Sequence, residues 1–521
     1  MIKKRIMKAK SVALLLSLFL IISLMGCASK NEKASQKDKA QTSLVKTAQQ
    51  SLSAVAPTTG PVGGQPAQGS KQSVPDLDYQ VKYQRAFESI IWATPALDIY
   101  NFIKAINAVG AQSNDIVAFS EPATERVEAL TANNQVPYTT GYSDLSIEPA
   151  VMEIPAATEV ASFFGQIVGT WQTTVADVGP PGLDKGKGGK YLLLPPGYNK
   201  PIPEGYYVIE TGSTIVYFAF RALPGSKGNL EKAAEYVKNG VKLYPLSQAA
   251  NPPVQKFIDP SKDQLRFPTL PAYDISAFET LQKIISAEPT LPRDKVMMDM
   301  LASIGIEKGK PFNPDAKTKK AMEAAVVDAY YYMLQTNANP DNKYKIWDNR
   351  HYYTIIWPDN NGEFDFEYPD RLSYTQRALT YFQVTFFPKK WDSEKPINAY
   401  LTPKFDKDGN PLLAGKTYKV TIPKTVPVKN FWAVNMYDDA TGAFIYNPLV
   451  RAGLSNYDRK TMKINSDESV TIYIGPKAPE GLESNWIPTE GKKPFILIRL
   501  YGAEEAYYNR SFVLDDFELV K

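Results

Sequence analysis

Cysteine and histidine, on which many catalytic and zinc sites depend, are almost absent from this sequence. The 521 residues include one histidine, His351, and one cysteine, Cys27. A Ser-His-Asp triad could therefore use only His351, while a Cys/His zinc site and an intramolecular disulfide are both excluded. We interpret His351, which lies in a polar and aromatic stretch, as a structural side chain rather than a general base. Any catalysis must then come from carboxylate, tyrosine or arginine side chains.

Two glycine-containing loops have the composition of ligand-binding loops but not the spacing. Residues 179–190 are rich in glycine and lysine, yet they lack the Gly-to-Lys-Ser/Thr spacing of a phosphate loop, so we interpret them as a long turn. Asp406-Lys407-Asp408-Gly409-Asn410 begins like a calcium loop but has no carboxylate at the twelfth position, and Asp-Gly favours a hairpin. We predict no metal site and no cofactor.

The N-terminus has the order of charges and apolar residues of an export signal. Basic residues within positions 2–10 precede an apolar run over 11–25, which is too short to cross a bilayer comfortably. The run ends in Leu24-Met25-Gly26-Cys27, which resembles a bacterial lipobox. We predict a signal peptide over 1–26 and a diacylated Cys27 as the membrane anchor; the alternative is an uncleaved signal anchor with a free thiol. The protein would be an exported lipoprotein, facing the periplasm from the outer membrane in a Gram-negative cell, as Ala28 indicates, or on the outer face of a Gram-positive membrane.

Residues 27–75 are predicted to be a flexible linker that follows the lipidated cysteine. No Phe, Tyr or Trp occurs over 28–75, so this segment cannot bury enough apolar surface to offset the entropy of ordering it. Residues 76–521 carry 48 Lys and Arg against 53 Asp and Glu, a formal net charge of −5. That balance argues against a nucleic-acid partner.

The remaining sequence predicts an α+β fold, mainly β, with two antiparallel β-sandwich or jelly-roll domains and an α-helical insertion between them. Helical spacing begins the N-terminal domain over 76–225, and Pro95 is expected to break or kink that helix. Helices are predicted to dominate residues 226–344, where Ser276 and Glu279 form a candidate capping box. The last of these helices is predicted from about Ala316 to Gln335, with a stripe of core residues that includes Met322 and Met333. The C-terminal sandwich is predicted over 345–521, and Ile496–Leu500 is apolar enough to be covered on both faces. The clearest strands predicted there are Tyr418–Ile422, Phe431–Tyr437, Val470–Ile474 and Phe495–Tyr501.

Two sets of short motifs resemble known domain families. Residues 83–225 resemble the family called domain of unknown function 1254, through Asn133–Tyr138, Asp144–Ser146, Trp171-Gln172, Gly188–Leu192, Pro195–Tyr198 and Arg221. Residues 381–521 resemble domain of unknown function 1214, through Pro427–Trp432, Met436–Asp438, Gly475–Gly481, Glu483–Trp486 and Arg499–Gly502. The resemblance implies an exported protein with two sandwiches and a helical insertion, and it implies no reaction. The first family usually has Asp where Gln135 stands, so a site that needs that carboxylate would be lost here.

Aromatic rings paired with fixed polar groups are the candidates for ligand binding. The candidates are Asn134, Tyr138, Trp171 and Arg221 in the first sandwich, and Asp438, Asn485, Trp486 and Arg499 in the second. The alternative for Arg499 is a structural ion pair with Asp438. The favoured function is a lipid-anchored envelope protein that binds a small molecule, glycan or lipid at or between the sandwiches. The other candidate is an envelope hydrolase that uses carboxylate, Tyr or Arg chemistry; a purely scaffolding role is a third.

Overall fold

The structure, a computed structural model, describes residues 64, 66–67, 69–396 and 398–520. Contacts between residues divide the chain into two units, Met1–Pro75 and Asp76–Lys521. The predicted signal peptide, Cys27 and nearly all of the predicted linker lie outside the described residues. Within the described residues, no helix combines the length and the apolar character needed to span a bilayer.

The second unit begins with one long helix, α1 (Leu77–Ala108). It starts after Asp76, whose carboxylate accepts a hydrogen bond from the Tyr79 backbone N–H at 3.0 Å. The predicted break at Pro95 is wrong, because the helix continues through it. Residues 89–99 are all buried, so packing on every side holds the turn that the proline weakens.

The first sandwich consists of two sheets that pack face to face. The larger has the strand order β11-β1-β3-β9-β5-β6, the smaller has β10-β4-β7-β8, and β2 pairs separately with β12. The strands are β1 (Ile116–Ala118), β2 (Val127–Glu128), β3 (Tyr138–Asp144), β4 (Ala150–Ile154), β5 (Ala161–Gly169), β6 (Thr174–Val178), β7 (Gly189–Leu194), β8 (Tyr207–Glu210), β9 (Ile215–Pro224), β10 (Lys242–Pro245), β11 (Phe257–Ile258) and β12 (Phe267–Pro268). This sandwich therefore takes β10 and β11 from beyond residue 225.

Helices pack around α1 and form a separate apolar cluster. The helices of this cluster are α3 (Ile275–Ala287), α4 (Lys295–Ala302), α5 (Ala316–Ala338) and α6 (Tyr374–Tyr381), whereas α2 (Leu230–Gly240) packs on the first sandwich. The predicted stripe on α5 is core: Met322 and Met333 are fully buried. The start of α3 differs from the prediction, since Asp274 rather than Ser276 caps it by accepting the Ser276 N–H.

The second sandwich pairs a five-stranded sheet, β13-β14-β20-β16-β17, with a four-stranded sheet, β19-β18-β15-β21. Its elements are β13 (Tyr352–Tyr353), β14 (Asn398–Pro403), β15 (Tyr418–Ile422), β16 (Val428–Asp438), β17 (Gly453–Ser455), β18 (Val470–Gly475), β19 (Trp486–Pro488), β20 (Pro494–Ala503), a short helix α7 (Glu505–Tyr508) and β21 (Glu518–Leu519). The predicted strands at β15, β16, β18 and β20 are confirmed.

Strands β9 and β20 lie inside their sheets and are covered on both faces. Alternate residues point to opposite faces of a strand. Phe218 of β9 and Ile498 of β20 pack between the sheets of their own sandwiches. Tyr217 and Leu497, on the other faces, belong to one shared cluster together with α1. The predicted mixed α+β fold with a β-rich character is confirmed; the jelly-roll topology stays a prediction.

Candidate functional site

A cavity lies where the outer faces of β9 and β20 meet, and we call it the inner cavity. Its volume is about 100 Å³. Strands β3 and β9 line one side, β14 and β20 line the other, and α1 contributes Phe102. Most of the wall is apolar, with Phe119, Phe267, Ile355, Ile356, Val384, Phe386, Phe387 and Trp391 among the lining residues. Two arginine side chains, Arg221 and Arg499, enter this wall.

Arg499 is held by neutral acceptors. It is 3% exposed, and its Nη2 donates to the carbonyls of Thr131 and Ala132 at 2.5 and 3.2 Å and to the Tyr437 hydroxyl at 2.8 Å. Its Nε has no hydrogen-bond partner. The alternative pairing with Asp438 does not form, because Asp438 lies at the end of β16 and pairs with Lys492.

Arg221 makes no side-chain hydrogen bond to a described residue, and its buried Nε has no partner. It lies between the rings of Tyr138 and Phe164, with its Cζ 5.5 Å from each ring centroid. This position follows from the sheet register, since Arg221 of β9 is directly opposite Tyr138 of β3 and Phe164 of β5. The two rings orient the guanidinium toward the cavity by cation–π contacts.

No carboxylate balances these two positive charges. Neither arginine forms an ion pair with any described Asp or Glu, and no Asp or Glu lines the inner cavity. An arginine stays charged at physiological pH even when it is buried. Taking a charge out of water without a counterion is costly, so two unbalanced guanidinium groups favour binding of an anion from outside the chain.

Tyrosine hydroxyls surround the arginines. The Tyr138 hydroxyl accepts a hydrogen bond from the Asn133 N–H, and the Tyr501 hydroxyl accepts one from Asn133 Nδ2 at 2.8 Å. Burial alone would raise the pKa of Tyr501, but the charges of Arg499 and Arg221 outweigh it and hold that pKa below its usual value. Burial raises the pKa of Tyr400, which therefore stays neutral.

The loop before β3 connects the two sandwiches beside the arginines. Asn134 accepts hydrogen bonds from Gln135 Nε2 at 2.6 Å and from Asn435 Nδ2, on β16, at 2.7 Å. Gln135, which stands where the resemblance implies an Asp, thus holds the side-chain amide of Asn134. The loop places Asn133 so that its Nδ2 donates to the Tyr501 hydroxyl, and it places the Thr131 carbonyl so that it accepts from Arg499 Nη2.

The eight predicted ligand-binding residues divide into two groups. Tyr138, Arg221 and Arg499 line the inner cavity, and Asn134 lies in the adjoining loop. The other four lie elsewhere. Trp171 packs on Trp92 in the helical cluster, with ring centroids 4.5 Å apart, and Asp438 pairs with Lys492. The buried side-chain amide of Asn485 forms hydrogen bonds with backbone atoms of Lys463 and Thr471, and Trp486 Nε1 donates to the Gly475 carbonyl at 2.9 Å.

A larger outer cavity, of about 380 Å³, shares Leu130 with the inner one. Exposed Tyr331 is part of its rim, and aromatic rings from α5 and α6 form much of its wall. Asp98 of α1 is 1% exposed, and burial raises its pKa to about 8. Lys404, also in the wall, has its pKa lowered to about 8 by burial.

Sequence reasoning missed Tyr400, Asp98 and Lys404. The signal for Asp98 was present, since it is an acid between apolar neighbours, Leu97 and Ile99, in a stretch predicted to be helical. No pattern singled out Tyr400 or Lys404, because strand spacing does not show which sheet faces another.

The two loops with ligand-like composition are built as ordinary turns. Asp184 accepts backbone N–H bonds from Gly179 and Gly188 and so holds the glycine-rich loop closed. Asp406 accepts the N–H groups of Asp408 and Asn410 in a tight turn. His351 lies 3.2 Å from Asp516, Nδ1 to Oδ2, and does not line either cavity.

Fold and cavity together define a two-sandwich α+β protein with an arginine-bearing cavity between its sheets. Two family models match the chain: "Protein of unknown function (DUF1254)" at residues 113–245 and "Protein of unknown function (DUF1214)" at 398–505. The chain thus carries both domains in the order that the motifs predicted.

Two solved structures are similar to the chain. The VPA0106 protein from Vibrio parahaemolyticus is 16% identical, with a TM-score of 0.49 over 85% of this chain and 100% of that one. An uncharacterised protein from Burkholderia cenocepacia is 12% identical, with a TM-score of 0.36 over 85% of this chain and 96% of the other. No curated protein matches the chain.

Proposed function

We propose that this is a lipid-anchored cell-envelope protein that binds a small organic acid in its inner cavity. The observation that carries the proposal is the pair Arg221 and Arg499, which face an apolar cavity without a carboxylate partner. Guanidinium groups bind carboxylates with paired, charge-assisted hydrogen bonds. A carboxylate ligand would supply the missing negative charge.

The wall and the volume narrow the class of ligand. Apolar side chains, phenylalanine and isoleucine among them, form most of the wall, so the rest of the ligand is expected to be apolar. An engineered cavity of about 150 Å³ holds benzene, and this cavity is somewhat smaller at about 100 Å³. A short aliphatic acid or a small aromatic acid is therefore the expected size.

The predicted export signal and acyl anchor are the basis for the proposed location in the cell envelope. A lipobox-like end to the leader and an aromatic-free segment of 48 residues would place the binding unit outside the cytoplasm on a long tether. Metabolic labelling with an alkyne-modified palmitate tests the anchor. A Cys27→Ser variant should lose the label, and label retained by that variant would refute the anchor.

Binding is tested with ligands that share a size and differ in charge. Hexanoate and benzoate should raise the melting temperature of the purified protein, whereas hexanol and hexylamine should not. Arg221→Gln should weaken binding of the acids by roughly 10- to 100-fold, since a hydrogen bond to a charged group contributes about 1.5–3 kcal/mol.

Arg221 is the better of the two arginines to replace, because it makes no hydrogen bond that the fold would lose. Arg371→Gln is the matched control: Arg371 is exposed and pairs with Asp370. Equal shifts with the acid, the alcohol and the amine would refute the proposal, and so would unchanged acid binding by Arg221→Gln.

A hydrolase is the second candidate, and Asp98 is the observation in its favour. A buried carboxyl with a pKa of about 8 in a cavity wall has the property of a general acid or base near neutral pH. Chromogenic esters and glycosides should then be hydrolysed by the wild type and not by Asp98→Asn. Absence of turnover by the wild type would exclude those reactions.

A further inference from the structure

A short acidic loop lies between β13 and α6, and its acids line neither cavity. Its sequence is Asp359-Asn360-Asn361-Gly362-Glu363-Phe364-Asp365. One carboxylate oxygen from each of Asp359, Glu363 and Asp365 lies within 4.8 Å of the other two. Acids at the first, fifth and seventh positions thus converge on one point.

Asp359 has a buried oxygen that nothing in the described chain satisfies. The residue is 6% exposed, and its Oδ1 accepts the backbone N–H groups of Asn361 and Glu363 at 2.7 and 2.9 Å. Its Oδ2 is buried and has no hydrogen-bond partner. Leaving a buried carboxylate oxygen unpaired costs about 1–3 kcal/mol or more, so this atom requires a partner from outside the chain.

The negative charges of the loop are also uncompensated. None of the three carboxylates forms an ion pair with a described Lys, Arg or His. Three carboxylates this close repel one another unless a cation or protons lie between them.

We propose that Asp359, Glu363 and Asp365 bind one calcium ion. All three ligands are hard oxygen donors, which suit calcium, magnesium or manganese and not zinc or copper. Calcium binds oxygen at about 2.3–2.6 Å, so oxygens on opposite sides of the ion are roughly 4.6–5.2 Å apart. The three oxygens all lie within 4.8 Å of one another and can therefore reach one calcium ion, whereas magnesium demands near-ideal octahedral geometry and usually keeps several waters.

The backbone of the loop is already shaped before any ion binds. Gly362 has a φ of +79°, and a Cβ on it would lie 2.7 Å from the Trp391 carbonyl. The Trp391 N–H also donates to the Gly362 carbonyl at 2.8 Å. The ion would therefore bind to a preorganised loop rather than order a flexible one.

The loop borders the wall of the inner cavity. Phe364, between two of the acids, stacks on Phe387 with ring centroids 4.1 Å apart, and Phe387 lines that cavity. Calcium at the loop would thus hold one wall residue in place.

Calorimetric titration of the full-length, EDTA-treated protein with calcium chloride tests the proposal. We expect one ion per chain with a dissociation constant at or below about 1 mM. Terbium should replace calcium and be sensitised by nearby tryptophan, since Trp391 contacts the loop backbone. Magnesium at the same concentration should not displace it.

Asp359→Asn and Glu363→Gln should each weaken binding by roughly 10-fold or more. Glu363 is only partly buried, so its variant keeps the test valid should Asp359→Asn fail to fold. Asp408→Asn, in the other aspartate-rich turn, is the matched control and should bind normally.

Three results would overturn the site. They are the absence of saturable calcium binding to the folded wild type, binding that is unchanged in both loop variants, and magnesium binding as tight as that of calcium. None of these measurements depends on an organic acid in the inner cavity.

Discussion

Replacing Asp98 with asparagine should remove a large part of the pH dependence of stability. The Asp98 carboxyl is buried on α1, where its Oδ2 accepts a hydrogen bond from Gln172 Nε2 and its Oδ1 has no partner. Burial raises its pKa from 3.8 to about 8, and the Gln172 hydrogen bond offsets only part of that rise. The unfolded chain would titrate near the ordinary value.

The sign follows from which state holds the proton. Between about pH 4 and pH 8 the folded protein keeps a proton on Asp98 that the unfolded chain releases. The free energy of unfolding therefore falls as the pH rises through this range, and it levels off above about 8. Because the pKa of Asp98 rises from 3.8 to about 8, the free energy of unfolding should fall by roughly 5 kcal/mol over this range, at about 1.36 kcal/mol for each pH unit.

Asparagine has the same shape and does not titrate, so the variant should lose the pH-dependent contribution of Asp98 to the free energy of unfolding. Urea unfolding at about pH 5 and about pH 9 measures it, because the difference between variant and wild type cancels the other titrating groups. Relative to the wild type, the free energy of unfolding of the variant should be several kcal/mol more favourable to the folded state at about pH 9 than at about pH 5. Asp263→Asn, at an exposed position, is the control and should not. Parallel pH profiles for Asp98→Asn and the wild type would refute the reasoning.

Three further results are expected. After reductive ¹³C-methylation, one lysine resonance should titrate near pH 8 and be absent from Lys404→Arg, because burial lowers the pKa of Lys404; a spectrum without it would contradict this assignment. Asn485→Ala should lower the free energy of unfolding by roughly 2–3 kcal/mol and leave hexanoate binding unchanged, since its amide makes only structural hydrogen bonds; weaker binding would show otherwise. Trp171→Ala should cost roughly 3–5 kcal/mol in urea unfolding by emptying the space beside Trp92, and a cost below about 1 kcal/mol would argue against core packing there.

Patterns within about ten residues predicted much of the secondary structure. The strand from Tyr418 to Ile422 matches its prediction residue for residue, and helix α5 ends three residues beyond Gln335. The break predicted at Pro95 does not occur, because a proline is judged by its local cost, whereas burial of the whole turn decides whether the helix continues; the alternative of a kink stays a prediction.

The candidate site was predictable only in part. Arg221 and Arg499 were singled out as polar groups that accompany aromatic rings in the family-like motifs, and both line the inner cavity. Trp171 has an equally suggestive motif but packs in the helical core. Motif content does not show which face of an element meets solvent, a cavity or another layer.

The amino-acid sequence by itself determined much of the order of helices and strands, the apolar run that covers both faces of β20, and the exclusion of a Cys/His zinc site and of a disulfide. These depend on short-range periodicity and on which side chains are present. Only the tertiary structure decided that Arg221 and Arg499, distant in sequence, line one cavity, and that three acids of residues 359–365 converge. The physical reason is that sheet faces choose their partners by burying apolar surface over the whole domain, and no local pattern contains that choice.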